Sequence, residues 1–310
     1  MRRVCILAED VSSVDPCTVA LLRDHDFEVK EIPHNRALLQ EEVYDFIREA
    51  DAVIAGSERY DAALLDKLPN LKVIARRGVG FDNVDVTAAE QRGIRVTRTV
   101  GAVEEAVAEL TMAFVLDFAR LVPQQDMAMK QGHWKRMLAT GLSGKTIGLV
   151  GFGGIGQEVA RRAGAFGMRV IYYSRRRRMT EEKMLGAEYV ELPELLRESD
   201  FVSLHCPLTE QTYHMIGEKE LHSMKPTAIL INTARGPVCD EEVLARALQQ
   251  GIIRGAAVDV FPREPETDSP LLSCENVILT PHIATFTRDA FVKMNNMAAQ
   301  SIIDWLEAEG

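Results

Sequence analysis

Three charged side chains in the second half of the chain could together handle a keto acid. Arg235 lies in Ile231-Asn-Thr-Ala-Arg-Gly-Pro237, Glu264 in Asp259-Val-Phe-Pro-Arg-Glu-Pro265, and His282 in Leu279-Thr-Pro-His-Ile283. An Arg can grip a carboxylate through two parallel hydrogen bonds. A His titrates near neutrality and can give or take a proton, and a carboxylate beside a His orients the ring and favours its charged form. The set suits reduction of a keto group next to a carboxylate. Taken singly, each residue has a plainer explanation: a surface charge, a loop, a structural Pro-His pair. What joins them is a place for a hydride donor. Gly151, Gly153 and Gly156 stand at G-x-G-x-x-G spacing, with Gly154 and Ile155 between the last two. In that pattern the first glycine allows a tight turn, the second lets backbone approach a pyrophosphate, and the third lets a helix pack close to a strand. The N-terminus of the following helix then offers N–H groups and a positive dipole end to the phosphates.

Such residues need strand ends to carry them. The apolar run 146–150 predicts a strand before the glycines, and 157–166 has apolar residues at helical spacing behind them. Further strands are predicted at 168–173, 201–206, 227–233, 255–261 and 276–280. In an open α/β sheet, ligands bind beyond the carboxyl ends of the strands, so Arg235, Glu264 and His282 are expected to face one crevice. The first hundred residues form a series of their own. Strands are predicted at 3–8, 27–32, 51–56, 71–76 and 95–97, and helices at 16–23, 40–50, 61–68 and 84–92. Residues 101–121 break that rhythm with a long helix, apolar nearly all round, which is expected to be mostly buried and to cross between domains. The stretch 286–309 reads as one final helix, long enough to return to the first domain.

Bulk composition narrows the function. A chain of 310 residues suggests two domains. It is 46% hydrophobic and 26% charged, as expected of a globular protein. A net charge of −10 argues against a sequence-independent grip on nucleic acid or on an acidic membrane. No apolar run is long enough to span a bilayer, and the apolar part of 1–9 is too short for a signal peptide. Cys5, Cys17, Cys206, Cys239 and Cys274 are odd in number and lack C-x-x-C spacing, which fits a reduced cytoplasmic protein and no metal site.

With those residues in place, the sequence resembles the D-isomer specific 2-hydroxyacid dehydrogenases over nearly its whole length. The carriers are Gly78-Val-Gly-Phe-Asp-Asn-Val-Asp85, Ala106-Val-Ala-Glu109 with Thr111, the glycine motif, His205-Cys-Pro-Leu-Thr209, the stretch from Ile231 to Gly236, Val258-Asp-Val-Phe261, Glu264-Pro265 and Thr280-Pro-His282. The resemblance implies an α/β fold of two doubly wound parallel-sheet domains. Residues 1–98, completed by 287–310, would be a flavodoxin-like substrate domain, and 99–286 a Rossmann dinucleotide-binding domain. The implied reaction transfers a hydride between NAD(P)H and C2 of a small 2-keto or 2-hydroxy acid. Arg235 would hold the substrate carboxylate, His282 would move the proton and Glu264 would be its partner. Val79 and Gly80 would offer backbone N–H groups to the substrate. Asp259 would hold the nicotinamide carboxamide, with Thr111, Cys206, Pro207, Thr233 and Ala234 along the cofactor pocket. The resemblance also implies a homodimer gripping through roughly 103–145.

Departures from the family pattern sharpen the expectation. Val100 and Val103 stand where the family often has Pro and Asn, and Ala284-Thr-Phe286 replaces small residues after the His. Family members that use NAD carry an Asp at the end of the second strand, but here Tyr173 is followed by Ser174-Arg-Arg-Arg-Arg178. Ser174, Arg175 and Arg176 are therefore expected at a 2′-phosphate, making NADP the expected cofactor with NAD as the alternative, while Arg177 and Arg178 are expected to be solvated. The same pattern resembles the NADP-using glyoxylate/hydroxypyruvate reductases. One rival is a D-3-phosphoglycerate dehydrogenase without a regulatory domain, for which Arg59, Arg76 and Arg77 would supply cations. A rival of another class is a dinucleotide-sensing corepressor, which would need a peptide groove and extended tails.

Overall fold

A computed structural model describes residues 1–33 and 36–308. The chain divides into two compact units, one made of Met1–Val103 with the segment from Thr285 onward, the other of Glu104–Ala284.

The first unit is built on five parallel strands, β1 (Arg3–Ile6), β2 (Glu28–Glu31), β3 (Ala52–Ala55), β4 (Val73–Arg76) and β5 (Arg95–Arg98), in the order β2-β1-β3-β4-β5. Every residue of the central Ala-Val-Ile-Ala strand β3 is buried, as a strand covered on both faces requires. The edges are charged: β2 reads Glu-Val-Lys-Glu and β5 Arg-Val-Thr-Arg, which discourages further strand pairing. Side chains alternate between faces. Val4, Ile6, Ile54 and Val73 meet Ala298, Ala299, Ile302 and Leu306 of the helix Arg288–Ala308. Cys5, Val53 and Ile74 face Val43, Ile47, Leu65 and Ala89 from the shorter helices.

The second unit has seven parallel strands, β6 (Thr146–Val150), β7 (Arg169–Tyr173), β8 (Ala187–Tyr189), β9 (Phe201–Leu204), β10 (Ile229–Asn232), β11 (Gly255–Val258) and β12 (Val277–Leu279). Their order is β12-β11-β10-β9-β6-β7-β8. Strand order reverses between β6 and β9, the switch point beside which doubly wound sheets bind ligands. One face is covered by the helices Glu104–Arg120 and Gly154–Ala165, which pack through Ala108, Met112 and Val115 against Val159, Ala160 and Ala163. The other carries Leu195, Leu221, Leu244 and Leu248 from three further helices.

The apolar runs overshoot the ladders. Strands expected to reach residues 206, 233 and 261 end at Leu204, Asn232 and Val258. The residues beyond those ends form the loops that hold the candidate site. The helix Val122–Lys130 carries no sequence signature: it buries none of its residues and so shows no apolar stripe.

Candidate active site

Beyond β6 the chain turns at Gly151, whose φ of +105° suits glycine alone. A Cβ there would also come 2.6 Å from the carbonyl carbon of His205. At Gly156 a Cβ would meet the Gly151 carbonyl oxygen, so helix and turn touch backbone to backbone. Gly153 is the opposite case: a Cβ there would meet nothing within 4 Å. Its smallness serves no contact within the protein, and the open space suits a dinucleotide pyrophosphate. The helix Gly154–Ala165 starts with no side-chain cap and no acidic residue of its own in its first turn, and the Glu104 side chain lies against Gly154; the N–H groups and positive dipole end of a helix start suit an anion.

The three charged residues come from neighbouring strand ends. Asn232, 2% exposed, folds the loop after β10 around its own amide. Its Oδ1 accepts from the Ala234 N–H at 3.1 Å, and its Nδ2 donates to the Arg235 carbonyl at 3.0 Å. Arg235 Nη1 donates to the Ala234 carbonyl at 2.7 Å. The next residue, Gly236, lies so close to the Phe261–Pro262 backbone that any side chain would collide with it. That contact fixes the Arg235 loop against the loop that carries Glu264.

Glu264 is held at both oxygens. Oε1 accepts the Phe261 N–H at 2.9 Å, and Oε2 lies 2.6 Å from His282 Nδ1. A carboxylate can only accept, so Nδ1 carries a proton, and Nε2 is left as the nitrogen for proton transfer. Burial pushes the Glu264 carboxyl up. The His282 hydrogen bond and charge, the Phe261 N–H and the Arg235 charge outweigh it and hold the carboxyl below its ordinary range. Glu264 therefore stays ionised to lower pH than an ordinary Glu.

His282 has φ +53°, a left-handed conformation uncommon for a residue with a side chain. Asp259 holds the loop in that shape. This fully buried carboxylate accepts from Thr280 Oγ1 at 2.5 Å, from the Ile283 N–H at 2.8 Å and from the Ala284 N–H at 2.9 Å. Expected at the nicotinamide carboxamide, Asp259 thus also grips the backbone on the far side of His282. Burial raises its carboxyl above the ordinary range against these hydrogen bonds.

Around the glycine turn, Thr111 is buried and donates to the Val107 carbonyl at 2.9 Å, with Thr233 Oγ1 3.4 Å away. Burial drives His205 down to about 3, so its ring is neutral. Its Nε2 meets Ser203 Oγ at 2.9 Å, while Nδ1, also buried, has no hydrogen-bond partner among the described residues. The Cys206 thiol is pushed up to about 11 by burial and stays protonated, and Pro207 O accepts from Thr212 Oγ1. At the end of β7, Arg175 to Arg178 are exposed, and the Ser174 hydroxyl donates to the Arg176 carbonyl at 2.6 Å. Arg177, expected to be solvated, pairs with Glu182 at 2.8 Å.

In the first unit, Gly78 has φ +142° and exchanges hydrogen bonds with Thr99. Among the described residues, the following N–H groups of Val79 and Gly80 have no partner. Phe286 both packs and lines: its ring meets Phe291 edge-on at 4.7 Å, and it borders a cavity of about 330 Å³ with Ser13, Val14 and Arg288. The cations considered for a phosphate are engaged elsewhere. Arg59 pairs with Asp61, Arg76 bonds Asn83 and the Arg77 carbonyl, and Arg77 bonds the Glu9 carbonyl beneath the Phe291 ring.

Residues 112–284 match the family model described as D-isomer specific 2-hydroxyacid dehydrogenase, NAD binding domain. The chain belongs to this family. It is 47% identical over 273 residues to the glyoxylate reductase of Thermococcus litoralis, covering 85% of this chain and 82% of that protein. Its fold is similar to the TT0316 protein of Thermus thermophilus, with a TM-score of 0.90, 39% identity and coverage of 99% and 97%. Two further structures of the same fold were solved with a nicotinamide dinucleotide bound. One is an acyclic imino acid reductase with NADPH and D-Arg, at TM-score 0.87, 30% identity and coverage of 98% and 97%. The other is the Aquifex aeolicus D-lactate dehydrogenase with NAD and lactic acid, at TM-score 0.86, 31% identity and coverage of 98% and 96%. As a member of the family, the chain is an NAD(P)-dependent oxidoreductase acting on a small hydroxy acid. No described helix is long and apolar enough to cross a membrane.

Proposed function

We propose that this enzyme reduces a small 2-keto acid, glyoxylate or hydroxypyruvate first, with NADPH as the preferred donor. The observation that carries the reading is the His282–Glu264 pair at 2.6 Å on a loop packed against the one that carries Arg235. Gly151, Gly153, Gly154, Ile155 and Gly156 would cradle the pyrophosphate, and Thr111, Cys206, Pro207, Thr233, Ala234 and Asp259 would line the rest of the cofactor site. When bound there, the nicotinamide supplies the hydride for C2. Arg235 holds the substrate carboxylate and polarises the keto group. His282 stabilises the oxygen as charge develops on it and delivers the Nε2 proton, while Glu264 keeps the ring oriented. Val79 and Gly80 offer their unpaired N–H groups to the substrate, making residues 1–98 with 287–310 the substrate domain and 99–286 the dinucleotide domain. A reductase of glyoxylate is supported by the Thermococcus litoralis relative. The phosphoglycerate reading is weaker because Arg59, Arg76 and Arg77 all have other partners.

Cofactor choice has a measurable consequence. A 2′-phosphate carries close to two negative charges, and a charge-assisted hydrogen bond from Arg175 is worth about 1.5–3 kcal/mol, roughly a ten- to hundredfold preference for NADPH. A panel of 2-keto acids assayed with both cofactors tests substrate and donor together. Ser174→Asp should reverse the preference, Arg175→Ala should erase most of it and high salt should weaken it. Equal or better use of NADH by the wild type would leave the arginine run as a solvated loop.

Quaternary structure follows the family expectation of a homodimer through 103–145. Trp134 is 83% and Leu138 99% exposed there, and large apolar side chains so exposed suit a partner surface. Sedimentation equilibrium should give a dimer, weakened in Trp134→Asp; a wild-type monomer at micromolar concentration would refute it. The five unpaired cysteines suit a reducing, cytoplasmic setting.

A further inference from the structure

We propose that Tyr172, Glu182 and Arg177 form a bracket that sets the conformation and net charge of the loop 174–178, and thereby tunes discrimination between NADPH and NADH. The inference rests on the reading that this loop meets the adenosine ribose. Tyr172 is wholly buried near the end of β7. Its ring stacks on Phe152 of the glycine turn, with centroids 3.9 Å apart, and meets Tyr189 edge-on at 5.5 Å. Its hydroxyl does two jobs. It donates to Glu182 Oε1 at 2.6 Å and accepts the Arg178 N–H at 2.8 Å. The far end of the arginine loop is thus tied to the strand from which the loop departs, and the same ring rests on the pyrophosphate turn.

Glu182 comes back to the loop from the helix Met179–Leu185. It takes Arg177 as a fork: Nε donates to Oε1 at 2.8 Å and Nη2 to Oε2 at 3.0 Å. The hydrogen bonds from Arg177 and then from Tyr172 hold its carboxyl below the ordinary range, so it is charged at any working pH. A carboxylate therefore does stand beside this loop, although none follows Tyr173 directly in sequence. Uncovered, it would repel a 2′-phosphate as the Asp of NAD-using relatives would. Covered by Arg177, it cancels one of four crowded guanidinium charges and leaves Arg175 and Arg176, which make no ion pair among the described residues. Arg177 and Glu182 are positioning residues here: they act through the loop's charge and shape and do not touch the phosphate.

Steady-state kinetics with NADPH and NADH on a set of variants tests this. Arg177→Ala should raise KM for NADPH about tenfold, leave kcat within twofold and leave NADH unchanged, because it uncovers Glu182. Adding Glu182→Gln to Arg177→Ala should restore most of the NADPH affinity. A direct Arg177–phosphate contact would give no such rescue, and its absence overturns the proposal. Tyr172→Phe keeps the stacked ring and removes only the hydroxyl. It should also raise KM for NADPH selectively, and a thermal melt with isothermal titration of each cofactor separates that from misfolding. The wild-type NADPH/NADH ratio tests the cofactor reading, whereas the change in that ratio between variants tests the bracket. Variants that shift both cofactors equally, or neither, would overturn it whichever cofactor the wild type prefers.

Discussion

Replacing His282 with alanine should lower kcat for keto-acid reduction about 10²–10⁴-fold, the range for loss of a general acid. NADPH binding should survive, because His282 is held by Glu264 and by its own loop rather than by the glycine turn. Glu264→Gln is the sharper companion. The glutamine can still accept at Oε1 but no longer offers a charge to the ring. The acid limb of the kcat/KM profile that belongs to the Glu264 carboxyl should then be lost, because an amide does not titrate in that range. In the wild type that limb follows the carboxylate. The Glu264 carboxyl lies below its ordinary range, so its partnership with His282 is fully present above the ordinary Glu value of about 4.3 and fades only as pH falls through the lower folded value. Any stability it contributes follows the same window. Near-wild-type kcat in His282→Ala at neutral pH would remove the histidine from proton transfer.

Much of the architecture could be read from the chain. β6, β9, β10 and β11 are buried along their whole length and mostly apolar because helices cover both faces of their sheet. The glycine spacing and the charged residues at strand ends then point to a crevice. What does not show in the sequence is the set of contacts that fold the loops beyond those ends. Asn232 looks like an ordinary end to an apolar strand, yet it wraps the Arg235 loop with both ends of its amide. Gly236 has no unusual backbone angle to advertise; its need for glycine arises from the Phe261–Pro262 backbone, 25 residues away in the chain by the numbering. Asp259 serves the left-handed turn at His282, which no local pattern around Thr280-Pro-His reveals. Glu182 reads as a first-turn helix acid, and only the fold brings it to Arg177 and the Tyr172 hydroxyl. In each case a polar side chain bonds backbone or charge across a loop, and hydrophobic periodicity carries no record of that. A polar residue at the end of an apolar run was the one signal available, at Asn232 and Asp259 alike.

Substituting Arg235 should separate geometry from charge at the substrate. Arg235→Lys keeps the positive charge but loses the planar fork, and a Lys donates from a single nitrogen that cannot match both oxygens of a carboxylate. Charge-assisted hydrogen bonds are worth about 1.5–3 kcal/mol each, so losing one arm of the grip should raise KM for keto acids roughly ten- to hundredfold. The acid limb of the pH profile should stay where it is, because the charge that helps to hold the Glu264 carboxyl down remains in place. Arg235→Gln removes the charge as well. KM should then rise further, and the acid limb should shift to higher pH as the Glu264 carboxyl moves back towards its ordinary range. Cofactor affinity, read by fluorescence titration with NADPH, should change less than twofold in both variants, since Arg235 lies beyond β10 and the glycine turn beyond β6. A variant that loses NADPH binding while keeping its substrate KM would transfer Arg235 from the substrate to the cofactor. A Gln variant whose acid limb does not move would mean that the Arg235 charge has no hold on Glu264, leaving His282 alone to keep that carboxyl ionised.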